Sequence, residues 1–336
     1  MGPGETKTDG PAIAPVADLR DRGLFQVPWR DISAYRDGTG SVPYAFTFQA
    51  RAPGPHVIVN ALTHGNEFCG REVVATLLDR SIRPLRGRLS FVLANVAAHD
   101  AFDPADPGAS RFVDRDFNRI WDDAVMDGDT ASVEAARARE LRPLYATADV
   151  LLDLHTTYLA ERPFFVVPAL PKAIGLARSI GTPGATVILS PGGMHGVTLM
   201  EYAPFSDPNS ARRSVVAECG QHWAQASVDQ AMATTLSFLE GEGVIARDTA
   251  DSLRPALPPD PICQYQITAN LFTKTAAFHY TRSFDGFDAI DPDEIVAWDG
   301  DDPIRAPHPD AVVVLARPKP KQGGEAMSFG RLVTAA

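Results

Sequence analysis

The residues best suited to chemistry are histidines and acids that directly follow short apolar runs. In HVIVNALTHGNE, His64 and Glu67 stand three residues apart just after a predicted buried strand, and Gly65 allows a tight bend between them. An imidazole and a carboxylate on such a turn can bind one small ion. Because His-x-x-Glu also recurs by chance, helix capping by the acid is the ordinary alternative for this pair taken alone.

A second apolar run, in DVLLDLHTT, leads directly to His155. The carboxyl ends of strands in an open parallel sheet line the ligand crevice, so we expect His155 to face His64 and Glu67. A hydrolytic zinc site typically uses three nitrogen and oxygen ligands and leaves one position for water, and these residues supply that set. Asp153 lies two residues earlier, on the same side of an extended strand. It is predicted either to accept a hydrogen bond from the His155 ring or to be a buried acid satisfied by backbone donors.

Glu218 follows a third apolar run, in VVAECGQ. A carboxylate beside a zinc-bound water can take its proton and pass it to a departing amine, which makes Glu218 the candidate general base. A glutamate at a strand end is more often a salt-bridge partner, and the combination with the three metal-ligand candidates is what favours the base.

The segment SRFVDRDFNRIWDD has weak periodicity and is predicted to form a loop across the crevice. It carries Arg111, Asn118 and Arg119. A guanidinium group can hold a carboxylate through two hydrogen bonds and can steady a developing oxyanion. A surface loop held by its own Asp–Arg pairs is the alternative.

Short apolar runs alternate with longer helical patterns up to residue 240, which predicts an α/β fold with a mixed, largely parallel sheet flanked by helices. The proline-dense stretch RPALPPDP predicts a domain boundary near Asp251. Short β-rich runs follow it. We therefore expect a flexible segment at 1–18, a zinc-dependent catalytic domain at 19–251 and a small all-β domain at 252–336 that covers the site.

Composition excludes several classes of function. The net charge of -11 comes from dispersed acids, which disfavours nucleic acid and anionic membrane surfaces as partners. Three widely spaced cysteines predict neither a disulfide framework nor a thiolate zinc site. The sequence has no signal-peptide pattern and no apolar run of about 20 residues, so we expect a cytoplasmic protein. It leaves open whether the chain forms a homo-oligomer.

Four segments together resemble the succinylglutamate desuccinylase and aspartoacylase family, a branch of the zinc carboxypeptidase fold. They are HGNE at 64–67, RFVDRDFNR at 111–119, DLHTT at 153–157 and AECGQ at 217–221. The resemblance implies one Zn²⁺ per chain, with His64, Glu67 and His155 as ligands and Glu218 as base. It also implies that Arg111 polarises the scissile carbonyl, that Asn118 and Arg119 bind a substrate carboxylate, and that a small β domain follows.

Two departures bear on the substrate. Aspartoacylases are expected to carry a substrate-contacting tyrosine in an EAAYY-like segment, whereas GEAMSFG offers Ser328 and Phe329 here. The loop PGGMHGVTLMEY contributes His195, a candidate substrate contact, and Glu201 where a second arginine would select a dicarboxylate. We therefore expect a leaving amino acid that is neutral or basic.

The sequence thus predicts a zinc-dependent deacylase of amino acid metabolism that hydrolyses the amide bond of a small N-acylated amino acid through zinc-bound water. Two alternatives remain. One is a zinc carboxypeptidase acting on peptide C-termini, and the other is a non-catalytic zinc-binding protein, which would have no need of Glu218.

Overall fold

The computed structural model describes residues 25–128, 131–159, 162–190, 196–317 and 319–333. Fourteen strands are assigned in these ranges: β1 Ala45–Gln49, β2 Ala52–Ala61, β3 Arg86–Leu93, β4 Val150–Thr157, β5 Phe164–Val167, β6 Ala185–Ile188, β7 Arg213–Gln221, β8 Cys263–Phe272, β9 Phe278–Tyr280, β10 Asp288–Ala289, β11 Ile295–Asp299, β12 Asp302–Arg305, β13 Val312–Ala316 and β14 Glu325–Val333. The α-helices of the same ranges are α1 Cys69–Asp79, α2 Val96–Asp100, α3 Asp123–Gly128, α4 Val133–Tyr145, α5 Pro171–Ile180, α6 Gln225–Gly241 and α7 Arg247–Asp251. Short 3-10 turns lie at Ser33–Tyr35, Ala109–Arg111, Phe117–Arg119 and Leu199–Glu201.

Eleven strands form one mixed sheet in the order β1-β3-β2-β4-β7-β5-β6-β8-β14-β13-β10. The pairs β2–β3, β2–β4, β4–β7, β5–β6 and β6–β8 are parallel. The pairs β1–β3, β5–β7 and those among β8, β14, β13 and β10 are antiparallel. A separate three-stranded sheet has the order β12-β11-β9. The predicted α/β class, with a largely parallel sheet flanked by helices, is confirmed.

The central strands are buried on both faces, which explains their continuous apolar runs. In β4, Val150, Leu152 and Leu154 pack in the cluster that includes α1, α5 and α6, whereas Leu151 faces the cluster on the opposite side with Tyr145 of α4. Asp153 and His155 follow Leu151 at intervals of two, so their side chains leave the sheet on that second face.

The predicted elements that precede the site are present with small shifts. The apolar run before His64 lies in β2, which ends at Ala61, and the helix expected after Glu67 is α1, which spans Cys69–Asp79. Sequence patterns did not predict β5, α5, β6 and β14. The two four-residue strands β5 and β6 are too short to show a period, and both are completely buried.

The C-terminal strands continue the main sheet. Strand β8 pairs in parallel with β6 on one side and antiparallel with β14 on the other. The chain between α7 and β8 forms no regular structure, so the proposed division at Asp251 falls between elements. The division into domains stays a prediction.

Two further sequence predictions concern the N-terminal segment and membrane-spanning helices. Residues 1–18, the expected flexible segment, lie outside the described residues. In the described part of the chain, no helix is both long enough and apolar enough to span a bilayer.

Candidate active site

The turn between β2 and α1 brings His64 and Glu67 together. His64 Nδ1 lies 2.7 Å from Glu67 Oε1, and the Glu67 backbone N–H donates to His64 O over 3.2 Å. Gly65 is required for a reason other than backbone freedom, because its φ is not in the left-handed region. A Cβ there would lie 2.3 Å from Ala98 C and 2.6 Å from Ser110 O. The close approach of two neighbouring segments therefore fixes this turn.

Strand β4 delivers His155 to the same point. His155 Nδ1 lies 3.1 Å from Glu67 Oε2, and the rings of His64 and His155 are 4.9 Å apart. Glu67 thus meets one Nδ1 atom on each carboxylate oxygen. Burial alone would raise the pKa of Glu67, but the attraction of His64 and His155 outweighs burial and holds that pKa well below its usual range.

The outward-facing nitrogen of each imidazole is held by a second carboxylate. His64 Nε2 lies 3.1 Å from Asp116 Oδ1, and His155 Nε2 lies 2.9 Å from Asp153 Oδ2. Asp153 is fully buried, and its other oxygen accepts hydrogen bonds from Asn60 and Thr63. Of the two alternatives for Asp153, the contact with the His155 ring is therefore the one observed. The partners of its buried carboxylate are side chains and not backbone donors.

The donor set fits a metal ion. His64, Glu67 and His155 can each offer one ligand atom, and these atoms all lie within 4.8 Å of one another. Within the described residues, no other group of three or more His, Cys, Asp or Glu side chains could hold a metal ion. Two imidazole nitrogens and one carboxylate oxygen suit zinc, and carboxylates on the remote ring nitrogens fix both rings as in known metal sites.

The loop predicted to cross the crevice reaches this group. Arg111 Nη1 lies 3.5 Å from Glu67 Oε1, and Arg111 also donates to Asp116 Oδ2 from Nε and Nη2. Burial opposes the charge on Arg111, but Asp116 and Glu67 outweigh burial and raise its pKa. An Asp–Arg pair was the alternative to a functional role for this loop. Arg111 and Asp116 do form such a pair, but it lies beside the candidate metal ligands and not on the surface.

Asn118 and Arg119 follow in a 3-10 turn. Asp116 caps this turn by accepting the Asn118 backbone N–H over 2.9 Å. The Asn118 side-chain oxygen accepts the backbone N–H of Leu199 over 2.9 Å, and Arg119 Nη1 donates to Asn118 O over 2.7 Å. Among the described residues, no carboxylate lies within ion-pair distance of Arg119.

Glu218 stands on β7 directly opposite His155 in the strand register. Its Oε2 atom is buried and has no hydrogen-bond partner among the described residues. Burial, together with the repulsion of Glu67, raises the pKa of Glu218 to about 8, although His155 and Arg111 act in the opposite direction. A buried carboxylate oxygen without a partner, beside a candidate metal site, is available to bind a proton or a water molecule.

One cavity of about 170 Å³ joins these groups. Its polar end is formed by the site residues predicted from the sequence: His64, Glu67, Arg111, Asn118, Arg119, His155 and Glu218. The C-terminal strands supply part of its wall through Asn270, Leu315, Glu325 and Ser328, and Arg317, which follows β13, also lines it. Arg317 and Glu325 form an ion pair of 3.0 Å, and Ser328 Oγ donates to Glu325.

Ser328 and Phe329, the residues offered in the segment where a tyrosine was expected, face opposite sides of β14. Ser328 lines the cavity, whereas Phe329 is only 3% exposed and packs among the apolar residues of the C-terminal strands. His195 lies outside the described residues. Glu201 accepts hydrogen bonds from Thr198 N and Oγ1, so it caps the turn at Leu199–Glu201.

Sequence reasoning missed two polar residues of this region. Asp116 was not among the candidate site residues, although RFVDRDFNR places it between Arg111 and Arg119. His222 was also not among the candidate site residues. It is buried at the cavity wall, its Nδ1 lies 2.8 Å from Thr156 Oγ1, and burial lowers its pKa to about 4.

Several solved structures share this fold. The succinylglutamate desuccinylase from Vibrio parahaemolyticus is 17% identical with a TM-score of 0.64, and the match covers 88% of this chain and 87% of that one. The succinylglutamate desuccinylase from Vibrio cholerae is 20% identical with a TM-score of 0.62, covering 87% and 94%. The product-bound ectoine utilization protein EutE (DoeB) from Ruegeria pomeroyi is 18% identical with a TM-score of 0.61, covering 91% and 93%. These likenesses concern the fold.

The family of this chain is shown by a match of its sequence to a family model. No curated protein matches the chain at a significant level. The model of the succinylglutamate desuccinylase/aspartoacylase catalytic domain matches residues 53–236, which is more than half of the chain and includes every described residue of the polar end of the cavity. The chain therefore belongs to the succinylglutamate desuccinylase/aspartoacylase family.

Proposed function

We propose that this protein is a zinc-dependent amidohydrolase that removes the acyl group from a small N-acylated amino acid. Family membership supports a deacylase acting on a carbon–nitrogen bond other than a peptide bond. The observation that carries the proposal is the convergence of His64 Nδ1 and His155 Nδ1 on Glu67, opposite the unpartnered Oε2 of Glu218.

His64, Glu67 and His155 are the proposed ligands of one zinc ion. Zinc bound there would supply a Lewis acid that polarises the scissile carbonyl and makes water more acidic. Asp116 and Asp153 would orient the two imidazoles and keep Nδ1 of each ring free of a proton.

Glu218 is the proposed general base and acid. Its Oε2 takes a proton from the attacking water, whose oxygen bonds to the carbonyl carbon, and later delivers that proton to the amide nitrogen. The carbon–nitrogen bond then breaks, and the products are a carboxylate and a free amine.

Arg111 is the proposed donor to the carbonyl oxygen as negative charge develops there, since it lies beside Glu67 and keeps its charge. Asn118 and Arg119 are the proposed partners of a substrate carboxylate. Asp116 and Glu325 attract Arg119, but no carboxylate of the described residues lies within ion-pair distance of it. His195 remains a proposed substrate contact from the sequence alone.

The cavity favours a small substrate over a peptide chain. Its volume is about 170 Å³, and side chains of β13 and β14 form part of its wall. A peptide would need a cleft that is open where these strands lie.

The test is release of free amine from N-acetyl, N-formyl and N-succinyl amino acids. The zinc-loaded protein should hydrolyse at least one of them, and the chelated protein should hydrolyse none. Release from peptide C-termini instead would support the carboxypeptidase. If the zinc-bound protein released no amine from any of these compounds, the proposed activity would be wrong.

A further inference from the structure

We infer that the leaving amino acid of the proposed deacylase carries an aliphatic side chain, which binds on an apolar row across β7, β5, β6 and β8. The row consists of Val216, Val166, Val187 and Ile267, and all four line the cavity. This inference rests on the proposed function, because it names the substrate class of the same site.

The strand register aligns the row. Val216 of β7 pairs with Val166 of β5, and Val166 pairs with Val187 of β6. Register partners on adjacent strands point to the same face of a sheet. Val187 also pairs with Tyr265 of β8, so Ile267, two residues further on, lies diagonally on that face. Three strand spacings of about 4.8 Å make the row roughly 14 Å long.

The row begins beside the proposed base. Val216 precedes Glu218 by two residues on β7, so both side chains leave the sheet on the same face. The odd-numbered neighbours Val215, Ala217 and Cys219 point to the other face and pack in the core with α6. A substrate whose amide bond lies at Glu218 therefore has an apolar surface directly next to it.

The row also meets the proposed carboxylate-binding residues. Asn118 Oδ1 accepts the backbone N–H of Leu199, and the next residue, Met200, packs in the same apolar cluster as Val166, Val187 and Val216. The turn at Leu199–Glu201 thus joins the Asn118 and Arg119 end of the cavity to the row. One molecule can place its carboxylate on Asn118 and Arg119 and its side chain on the row, which assigns the row to the amino acid half of the substrate.

A second carboxylate has no suitable place on this surface. The four row residues are uncharged and each is at most 9% exposed, so a carboxylate resting on them would lose its water without gaining a cation. Arg317, the residue after β13, lines the cavity but is already paired with Glu325 at 3.0 Å. The row therefore selects against aspartate and glutamate and favours leucine, isoleucine, valine or methionine.

The first test compares side chains in kcat/KM, using the acyl group that the amine-release panel identifies. The leucine derivative should exceed the alanine derivative by about 10- to 100-fold, since three buried carbons separate them. The aspartate derivative should fall below alanine. Equal values for leucine and alanine, or a preference for aspartate or glutamate, would overturn the inference. A preference that follows the length of the acyl chain would also overturn it, because the row would then hold the acyl group.

A matched pair of variants assigns the preference to the row. Val166→Thr keeps the shape of a side chain that lines the cavity but adds a hydroxyl group, and should lower the leucine-to-alanine ratio about 5- to 10-fold. Val314→Thr makes the same change in the same apolar cluster away from the cavity lining, and should leave that ratio unchanged. Equal ratios in the two variants would contradict the assignment.

A binding measurement keeps the inference separate from the activity. Titration of zinc-loaded wild-type protein with free amino acids should give at least about tenfold tighter binding of leucine than of alanine, and weaker binding of aspartate. That result without any amide hydrolysis would support the row and overturn the proposed activity. Hydrolysis together with equal binding of leucine and alanine would support the activity and overturn the row.

Discussion

At the scale of single residues, carboxylates and imidazoles alternate in the site, and each ring nitrogen of His64 and His155 lies beside a carboxylate oxygen. Glu67 lies between His64 and His155, and Asp116 and Asp153 lie outside them. Glu218 differs from these acids because one of its oxygens has no partner among the described residues. The contrast separates groups that can position a metal ion from the group that can move a proton.

The first prediction concerns Glu218. Glu218→Gln should keep zinc at wild-type stoichiometry, because Glu218 is not a proposed ligand, but should lower kcat by about 10²- to 10⁴-fold through loss of the proton transfer. Metal analysis of the purified variant, together with amine release on the best substrate, checks both parts. Wild-type turnover in the variant would refute the proposed mechanism.

The second prediction concerns Asp153, which acts through His155. In Asp153→Asn, an amide N–H can face His155 Nε2 and move the ring proton to Nδ1, the proposed ligand atom. Zinc affinity should fall about 10- to 100-fold, as for other partners of metal-binding histidines. Competition with a chelator measures the affinity, and Asp207→Asn on the exposed surface should leave it unchanged. An unaltered zinc affinity in Asp153→Asn would show that Asp153 does not orient the ring.

At the scale of elements, the site depends on where three parallel strands end. β2, β4 and β7 are adjacent in the sheet, and β2 leads into the His64–Glu67 turn while His155 and Glu218 stand near the ends of the other two. The turn after β2 is closely packed, since a Cβ on Gly65 would meet the backbone of two other segments.

The third prediction concerns that junction. Gly65→Ala would place a Cβ 2.3 Å from Ala98 C, so the turn must move away from its neighbours. We expect a loss of about 1–3 kcal/mol in the free energy of unfolding, and weaker zinc binding. The control is Gly175→Ala in α5, where nothing lies within 4 Å of the new Cβ. That change should stabilise the protein by about 0.5–1 kcal/mol. Urea unfolding of both variants measures the effects, and equal shifts would contradict the packing argument.

At the scale of the whole molecule, folding buries a histidine far from the cavity. His56 at the base of β2 is 3% exposed, and its ring contacts Ser90 Oγ at 2.8 Å and Thr147 O at 3.1 Å. Burial, with the repulsion of Arg88, lowers the pKa of His56 to about 4. Between pH 6.5 and pH 4 the unfolded chain therefore binds a proton at His56 that the folded protein does not bind, so stability falls as the pH falls through this window.

The fourth prediction follows from that difference. Lowering the pH from 7 to 5 should cost the wild-type protein about 2 kcal/mol through His56 alone, given its usual pKa near 6.5 in the unfolded chain. His56→Gln should lower stability at pH 7 but lose about 2 kcal/mol less between the two pH values. The exposed His279→Gln should keep the wild-type pH dependence. Urea unfolding at both pH values measures these differences. If the free energy of unfolding of wild type and His56→Gln changed equally between pH 7 and pH 5, His56 would not cause the pH dependence.

Local patterns in the sequence were enough to predict the fold class, the strands that lead to His64, His155 and Glu218, and the residues that line the polar end of the cavity. Apolar runs before His64, His155 and Glu218 are local signals, and a strand buried on both faces must be apolar whatever surrounds it. Strand ends in a parallel sheet share one edge, so three such residues were expected to meet. The four-part resemblance added specificity because it fixed the order of the segments along the chain.

The side chains that complete the cavity could not be predicted without the three-dimensional pairing of the strands. The row from Val216 to Ile267 exists because β5 and β6, short strands without a sequence period, insert between β7 and β8 in one register. The choice of Ser328 over Phe329 depends on the pleat of β14, where a shift by one residue exchanges the two faces. Register and pairing join residues far apart in the chain, and no local pattern of residue types contains that information.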